Sequence, residues 1–82
     1  MDKDDLMRNG NLLSMSGLIK IVYFLGGSAC VDEVVEIYKE YFNNDHKYWE
    51  RYILLQMDKF IDKCKTGDCF LTYKDGKFEM RG

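Results

Sequence analysis

The stretch Phe70-Leu71-Thr72-Tyr73-Lys74-Asp75-Gly76-Lys77-Phe78-Glu79-Met80-Arg81 decides how this chain is read. Asp-Gly suits a two-residue type I′ turn, because both central residues of that turn need positive φ. Here it lies between two β-prone runs, which predicts a hairpin. Closing the chain on Asp75-Gly76 pairs Tyr73 with Phe78 and Leu71 with Met80 on one face. The other face receives Phe70 with Arg81, Thr72 with Glu79, and Lys74 with Lys77. An apolar face backed by a mixed one is the pattern of a hairpin laid on a core. Two strands alone are marginal in water, so the residues before them must supply the surface on which they lie.

Upstream, three stretches carry helical periodicity. The first begins at Ser14 or Ser16, both suitable N-caps, and places Leu18, Ile21, Val22 and Leu25 on one face. Gly26-Gly27 ends it, and Ser28 to Val31 forms a short extended bridge, a candidate single edge strand. Asp32 is the expected cap of the second helix, with Val34, Ile37, Tyr38 and Tyr41 inward, Phe42 beside them, and Glu33, Glu36, Lys39 and Glu40 outward. Asn43-Asn44-Asp45 breaks that helix, and Asp45 or Asn44 caps the next. The third helix runs from about His46 to Cys64 on a stripe of Trp49, Ile53, Met57, Phe60 and Cys64, which fall within about 80° of arc. Lys63 and Lys65 suit its C-terminal dipole, and Thr66-Gly67-Asp68 stops it. Residues 1–13 are polar and interrupted by Asn9-Gly10-Asn11. They read as a flexible lead-in with at most one helical turn around Leu6.

Helix, short strand, helix, helix, hairpin is the order of a winged helix. The expectation is an α+β chain with that domain over residues 14–82, a three-helix helix-turn-helix variant with a C-terminal β-hairpin wing. Its 82 residues make one domain, and 46% apolar content is enough for one modest core. The most apolar run, Leu18 to Gly27, contains Lys20 and is too short to cross a bilayer, so no membrane role is expected. Three cysteines make a poor disulfide framework, and no signal core follows the acidic start, so an intracellular location, nuclear or cytoplasmic, is expected.

Several of these residues resemble forkhead domains. Asp32 to Phe42, Asp-Glu-Val-Val-Glu-Ile-Tyr-Lys-Glu-Tyr-Phe, resembles their second helix. Trp49 and Ile53 resemble the Trp and Ile of their recognition helix, and Cys69-Phe70-Leu71 with Gly76-Lys77-Phe78 is similar to their wing. The Gly26-Gly27-Ser28 corner before the second helix is similar to the linker-histone globular domain, which shares the fold. The resemblance spans roughly residues 14–82, rests mainly on core positions, and implies fold more than function. Where forkheads carry the base-reading Asn, two residues after the Trp, this chain has Arg51. Where they carry Arg and His it has Leu54 and Leu55, and where the later Ser stands it has Asp58. The forkhead DNA code is therefore not carried over.

The helical wheel reaches the same positions independently. With Ile53 at the centre of the core face, Arg51 and Leu55 each lie about 160° away, and Asp58 and Asp62 share that outer face. Two carboxylates there would repel phosphates, and a leucine reads no base hydrogen bonds. Arg51, Leu54, Leu55, Asp58 and Asp62 are thus the candidate partner-binding residues, for another protein or for a homodimer, in a chromatin, transcription or ubiquitin-ligase scaffold complex. The alternative to a patch is a scattered surface leucine, which is ordinary.

Charge supports a second reading. The net charge is −2, but residues 1–45 hold four Lys/Arg against eight Asp/Glu, while residues 46–82 hold eight against six. Lys47, Arg51, Lys59, Lys74, Lys77 and Arg81 are the candidate nucleic-acid contacts of a forkhead-like or linker-histone-like DNA-binding domain, through phosphates. The same residues also read as a solvated, mixed-charge surface. Tyr38, Tyr41, Tyr48 and Tyr52 at helical spacing read as packing before base stacking. Cys64-x4-Cys69 with His46 or Cys30 misses the tight knuckle spacing of zinc sites, so no metal and no cofactor are expected. With no nucleophile–base pair and no phosphate-cradling glycine loop, the chain reads as a binding module and not an enzyme.

Overall fold

A computed structural model describes residues 2–42, 47–67 and 70–81, with the side chains of residues 47–49 outside that description. Four helices are present among the described residues: α1 (Lys3–Met7), α2 (Met15–Phe24), α3 (Val31–Tyr41) and α4 (Lys47–Lys65). α2, α3 and α4 pack against one antiparallel sheet of β1 (Ser28–Cys30), β2 (Leu71–Lys74) and β3 (Lys77–Met80), in the order β1-β3-β2, and α1 packs on α2. The chain is a small α+β domain.

The hairpin forms in the expected register, with Leu71 opposite Met80, Thr72 opposite Glu79, Tyr73 opposite Phe78, and Lys74 opposite Lys77. Asp75 (φ 54) and Gly76 (φ 78) both take the positive φ that a type I′ turn demands. Beyond the strands, the Arg81 N–H donates to the Phe70 carbonyl at 2.9 Å. The bridge at Ser28 is a true edge strand, pairing Ser28 with Glu79, Ala29 with Phe78 and Cys30 with Lys77. It makes β3 the central strand, so Phe78 is fully buried between Ala29 and Tyr73, whose ring meets it edge-on at 5.3 Å.

α2 begins where the sequence placed it, with the Ser14 hydroxyl accepting from the Gly17 N–H at 3.2 Å. It closes in a Schellman motif: Gly26, at φ 100, donates to the Tyr23 carbonyl and Gly27 donates to that of Val22. α3 differs from expectation. Its N-cap is Cys30, and Asp32 lies in the first turn. The reason is that β1 runs straight into the helix, so the last strand residue occupies the capping position. Glu33, three residues on, then reaches back to accept from the Cys30 N–H at 3.2 Å, half of a capping box. The Cys30 thiol and N–H together hold the Glu33 carboxyl below its ordinary range.

On α4, Ile53, Met57, Phe60 and Cys64 are buried as the stripe predicts. Trp49 and the expected Asn43–Asp45 break lie outside the described residues or side chains. Lys39 on α3 pairs with Glu36 (3.9 Å) and with Glu50 on α4 (3.5 Å), tying the two helices at their rim.

The greatest departure is at the N-terminus. Residues 1–13, expected as a flexible lead-in outside the domain with one helical turn around Leu6, form that turn as α1 but also place two side chains in the core, Leu6 (1% exposed) and Leu12 (0%). Asp2 caps α1 by accepting from the Asp5 N–H. The segment is held by α3: the Tyr38 hydroxyl donates to the Leu12 carbonyl at 3.0 Å, the Tyr41 hydroxyl donates to that of Asn9, and Lys3 pairs with Glu40 at 2.6 Å. Its backbone crosses α2 so closely that a Cβ on Gly17 would lie 1.9 Å from the Leu12 carbonyl oxygen. Gly17 therefore serves as the notch that lets Leu12 reach the core.

Candidate interaction surface

α4 is the longest helix among those described and packs against α3 and β2. Because its core stripe is narrow, the opposite side faces solvent. Arg51, Leu54, Leu55, Asp58 and Asp62, the residues nominated as a partner site, are all exposed. They lie together there because positions three and four apart share a helix face. Leu54 is 50% and Leu55 56% exposed, so the two leucines form an adjoining apolar surface flanked by Arg51 toward the N-terminus and by the carboxylates toward the C-terminus.

Arg51 and Asp58 have no partner of opposite sign at helical spacing, whereas Asp62 has Lys59 and Lys65 three residues to either side. Three and four residues from Arg51 stand Lys47, Tyr48, Leu54 and Leu55, and no carboxylate. At the same spacings Asp58 meets Leu54, Leu55, Ile61 and Asp62. Among the described residues, neither makes an ion pair within 4 Å. Asp58 and Asp62 form a like-charge i,i+4 pair, which costs a helix a few tenths of a kcal/mol unless a cation approaches.

The residues nominated for nucleic acid lie on α4 and on the hairpin. Arg51 and Lys59 are exposed on α4, and the side chain of Lys47 lies outside those described. Lys74 and Lys77 face each other at the hairpin tip. There, Lys77 also lies within electrostatic reach of Glu33 at the start of α3. Arg81 follows the far end of β3, about 13 Å along the strand from that tip. Its guanidinium lies over the turn after α4, where a Cβ on Gly67 would come within 3.3 Å of Nη2. Lys74 and Lys77 at the tip and Arg81 beyond the other end of β3 therefore occupy separate places on the hairpin.

The tyrosines divide. Tyr38 is fully buried, and burial pushes its phenol well above the ordinary range. Tyr41 is half-buried on Asn9, Tyr52 is exposed, and the side chain of Tyr48 lies outside those described. Phe70 was not among the nominated residues and is 74% exposed beside Arg81. The alternation along the hairpin had already placed it on the mixed face. Of the imagined zinc set, Cys69 and His46 lie outside the described residues, and among the described residues no group of three His, Cys, Asp or Glu side chains is placed to hold a metal ion. No described helix is long and apolar enough to cross a membrane.

The chain matches no protein-family model, and comparison with curated proteins and with solved structures returned no match.

Proposed function

We propose that this chain is a non-enzymatic winged-helix module that binds protein through the outer face of α4, within a nuclear assembly of the chromatin, transcription or ubiquitin-ligase scaffold kind. The fold part of the reading is supported by the order α2, β1, α3, α4, β2, β3 and by a sheet in which the strand after α2 pairs with the last strand of the hairpin. In such a domain α4 occupies the place of the recognition helix. The observation that carries the function is the face itself: two adjoining exposed leucines between an arginine and two carboxylates. Apolar surface with a polar rim suits a protein partner, whereas carboxylates at this position oppose phosphate.

One observation favours a second reading, a DNA-binding winged helix. Lys74 and Lys77 stand directly opposite each other at the wing tip, a like-charge pair that weakens the hairpin and would be relieved by a phosphate. A fluorescent mixed-sequence duplex titrated at low and at moderate salt separates the two. The expected result is no saturable binding at either salt. Saturable, salt-sensitive binding that is lost in the Lys74→Glu, Lys77→Glu double variant would overturn the protein-binding reading in favour of DNA.

A further inference from the structure

The outer face of α4 is complementary to itself. From the midpoint between Leu54 and Leu55, Arg51 lies three and a half residues toward the N-terminus and Asp58 three and a half toward the C-terminus. At 1.5 Å rise per residue, each is about 5 Å from that point along the axis. Both project near the middle of the face, about 20° apart in azimuth, and the two leucines flank its centre by about 50° on either side. When a second α4 is laid antiparallel on the first about a two-fold axis level with this midpoint, position n comes level with position 109 − n. Each leucine, lying to one side of the centre line, meets its own counterpart, Leu54 with Leu54 and Leu55 with Leu55, while near the centre line Arg51 meets Asp58 and Asp58 meets Arg51. The leucines form one apolar layer, and an opposite-charge pair closes it on each side.

We propose that the outer face of α4 is an isologous interface on which a second copy of this chain docks, with the two α4 helices antiparallel and crossing at Leu54 and Leu55. The proposal rests on the reading of this face as the protein-binding surface and names its occupant. Charge complementarity carries it. Arg51 and Asp58 have no opposite charge on their own helix at pairing distance and no ion pair among the described residues, yet each finds one in the second copy. The reversed, parallel arrangement would bring Arg51 against Arg51 and Asp58 against Asp58, so the charges also fix the direction. Closed two-fold symmetry uses one patch twice and leaves no open end for further growth. One helix on one helix is a small interface, so the dimer is weak, with a dissociation constant on the order of 10–100 μM.

Sedimentation of the full chain over a concentration series tests this, with circular dichroism as the check that each variant is folded. The expected result is a reversible monomer–dimer equilibrium that weakens with salt. Arg51→Glu and Asp58→Arg each place like charges together twice per dimer and weaken association by more than about tenfold. The double variant Arg51→Glu, Asp58→Arg restores the pairs in reverse and dimerises again. A wild-type chain that stays monomeric well above the expected range overturns the proposal, as does a dimer indifferent to the single charge reversals or a double variant that stays monomeric. The protein-binding reading fails separately. A monomeric chain whose Leu55→Asp variant loses a cross-link from position 54 to a purified partner keeps that reading and removes only the second copy.

Discussion

Replacing Gly17 with alanine gives a sign that the sequence alone would get wrong. Gly17 lies inside α2, and in an exposed helix interior Gly→Ala stabilises by about 1 kcal/mol. Here the new Cβ would lie 1.9 Å from the Leu12 carbonyl oxygen, 2.5 Å from its carbon and 2.7 Å from its Cα. All three are backbone atoms, so no rotamer change relieves the overlap and the crossing segment must move. Leu12 is fully buried, and withdrawing it loses about 2–3 kcal/mol of apolar burial. The hydrogen bond from Tyr38 to the Leu12 carbonyl is worth about 1 kcal/mol more. Set against the helix gain, the net destabilisation is about 2–3 kcal/mol, which in a domain of this size lowers Tm by roughly 10–20 °C. Thermal unfolding followed by circular dichroism measures it. A Gly17→Ala protein that melts at or above the wild-type temperature would refute the crossing of α2 by the N-terminal segment, and with it the inclusion of residues 2–13 in the folded core.

Three further outcomes follow from the same packing. Ile53→Asp buries an uncompensated carboxylate in the centre of the α4 stripe and should abolish the native circular dichroism spectrum, whereas Leu55→Asp, two residues away on the exposed side, should leave it intact. The Tyr38 phenol is held neutral by burial, so its folded pKa lies above the unfolded value near 10. Above that pH the unfolded state binds fewer protons than the native one, so stability should fall with rising pH, by up to about 1.4 kcal/mol per unit, and in the Tyr38→Phe protein this slope should be reduced in denaturant titrations at pH 9 to 12. Lys74→Glu converts the like-charge pair at the hairpin tip into an opposite one and should raise the unfolding free energy by a few tenths of a kcal/mol, read as a higher midpoint in paired urea curves.

What the sequence reveals of this fold follows the range of the interactions involved. The hairpin is legible because Asp75-Gly76 sets its register within four residues on each side, and a period-two pattern then assigns every side chain. The α4 stripe is legible for the same local reason, and its outer face follows as the complement of the buried one. The cap of α3 is misread by two residues because Cys30 is a strand residue as well as a cap. Glu33 at the third helical position is the signal that points to Cys30 and away from Asp32. The N-terminal segment is illegible by periodicity. Leu6 and Leu12 are isolated in a polar stretch, and their segment is held in place by the notch at Gly17, five residues after Leu12, and by hydroxyls remote in sequence, those of Tyr38 and Tyr41. A glycine inside an otherwise regular amphipathic helix is the trace this crossing leaves in the sequence. The pairing of Arg51 with Asp58 that we propose across two copies rests on their spacing in the sequence and on the exposure of both side chains.

The docking of a second copy on the outer face of α4 is tested most directly by amide spectra of the uniformly 15N-labelled chain recorded as its concentration is raised. Shifts confined to the amides around Arg51, Leu54, Leu55 and Asp58, with Lys74 and Lys77 unmoved, are the expected result. Spectra in which α4 stays unchanged at every concentration, or in which the wing shifts and the helix does not, would contradict it.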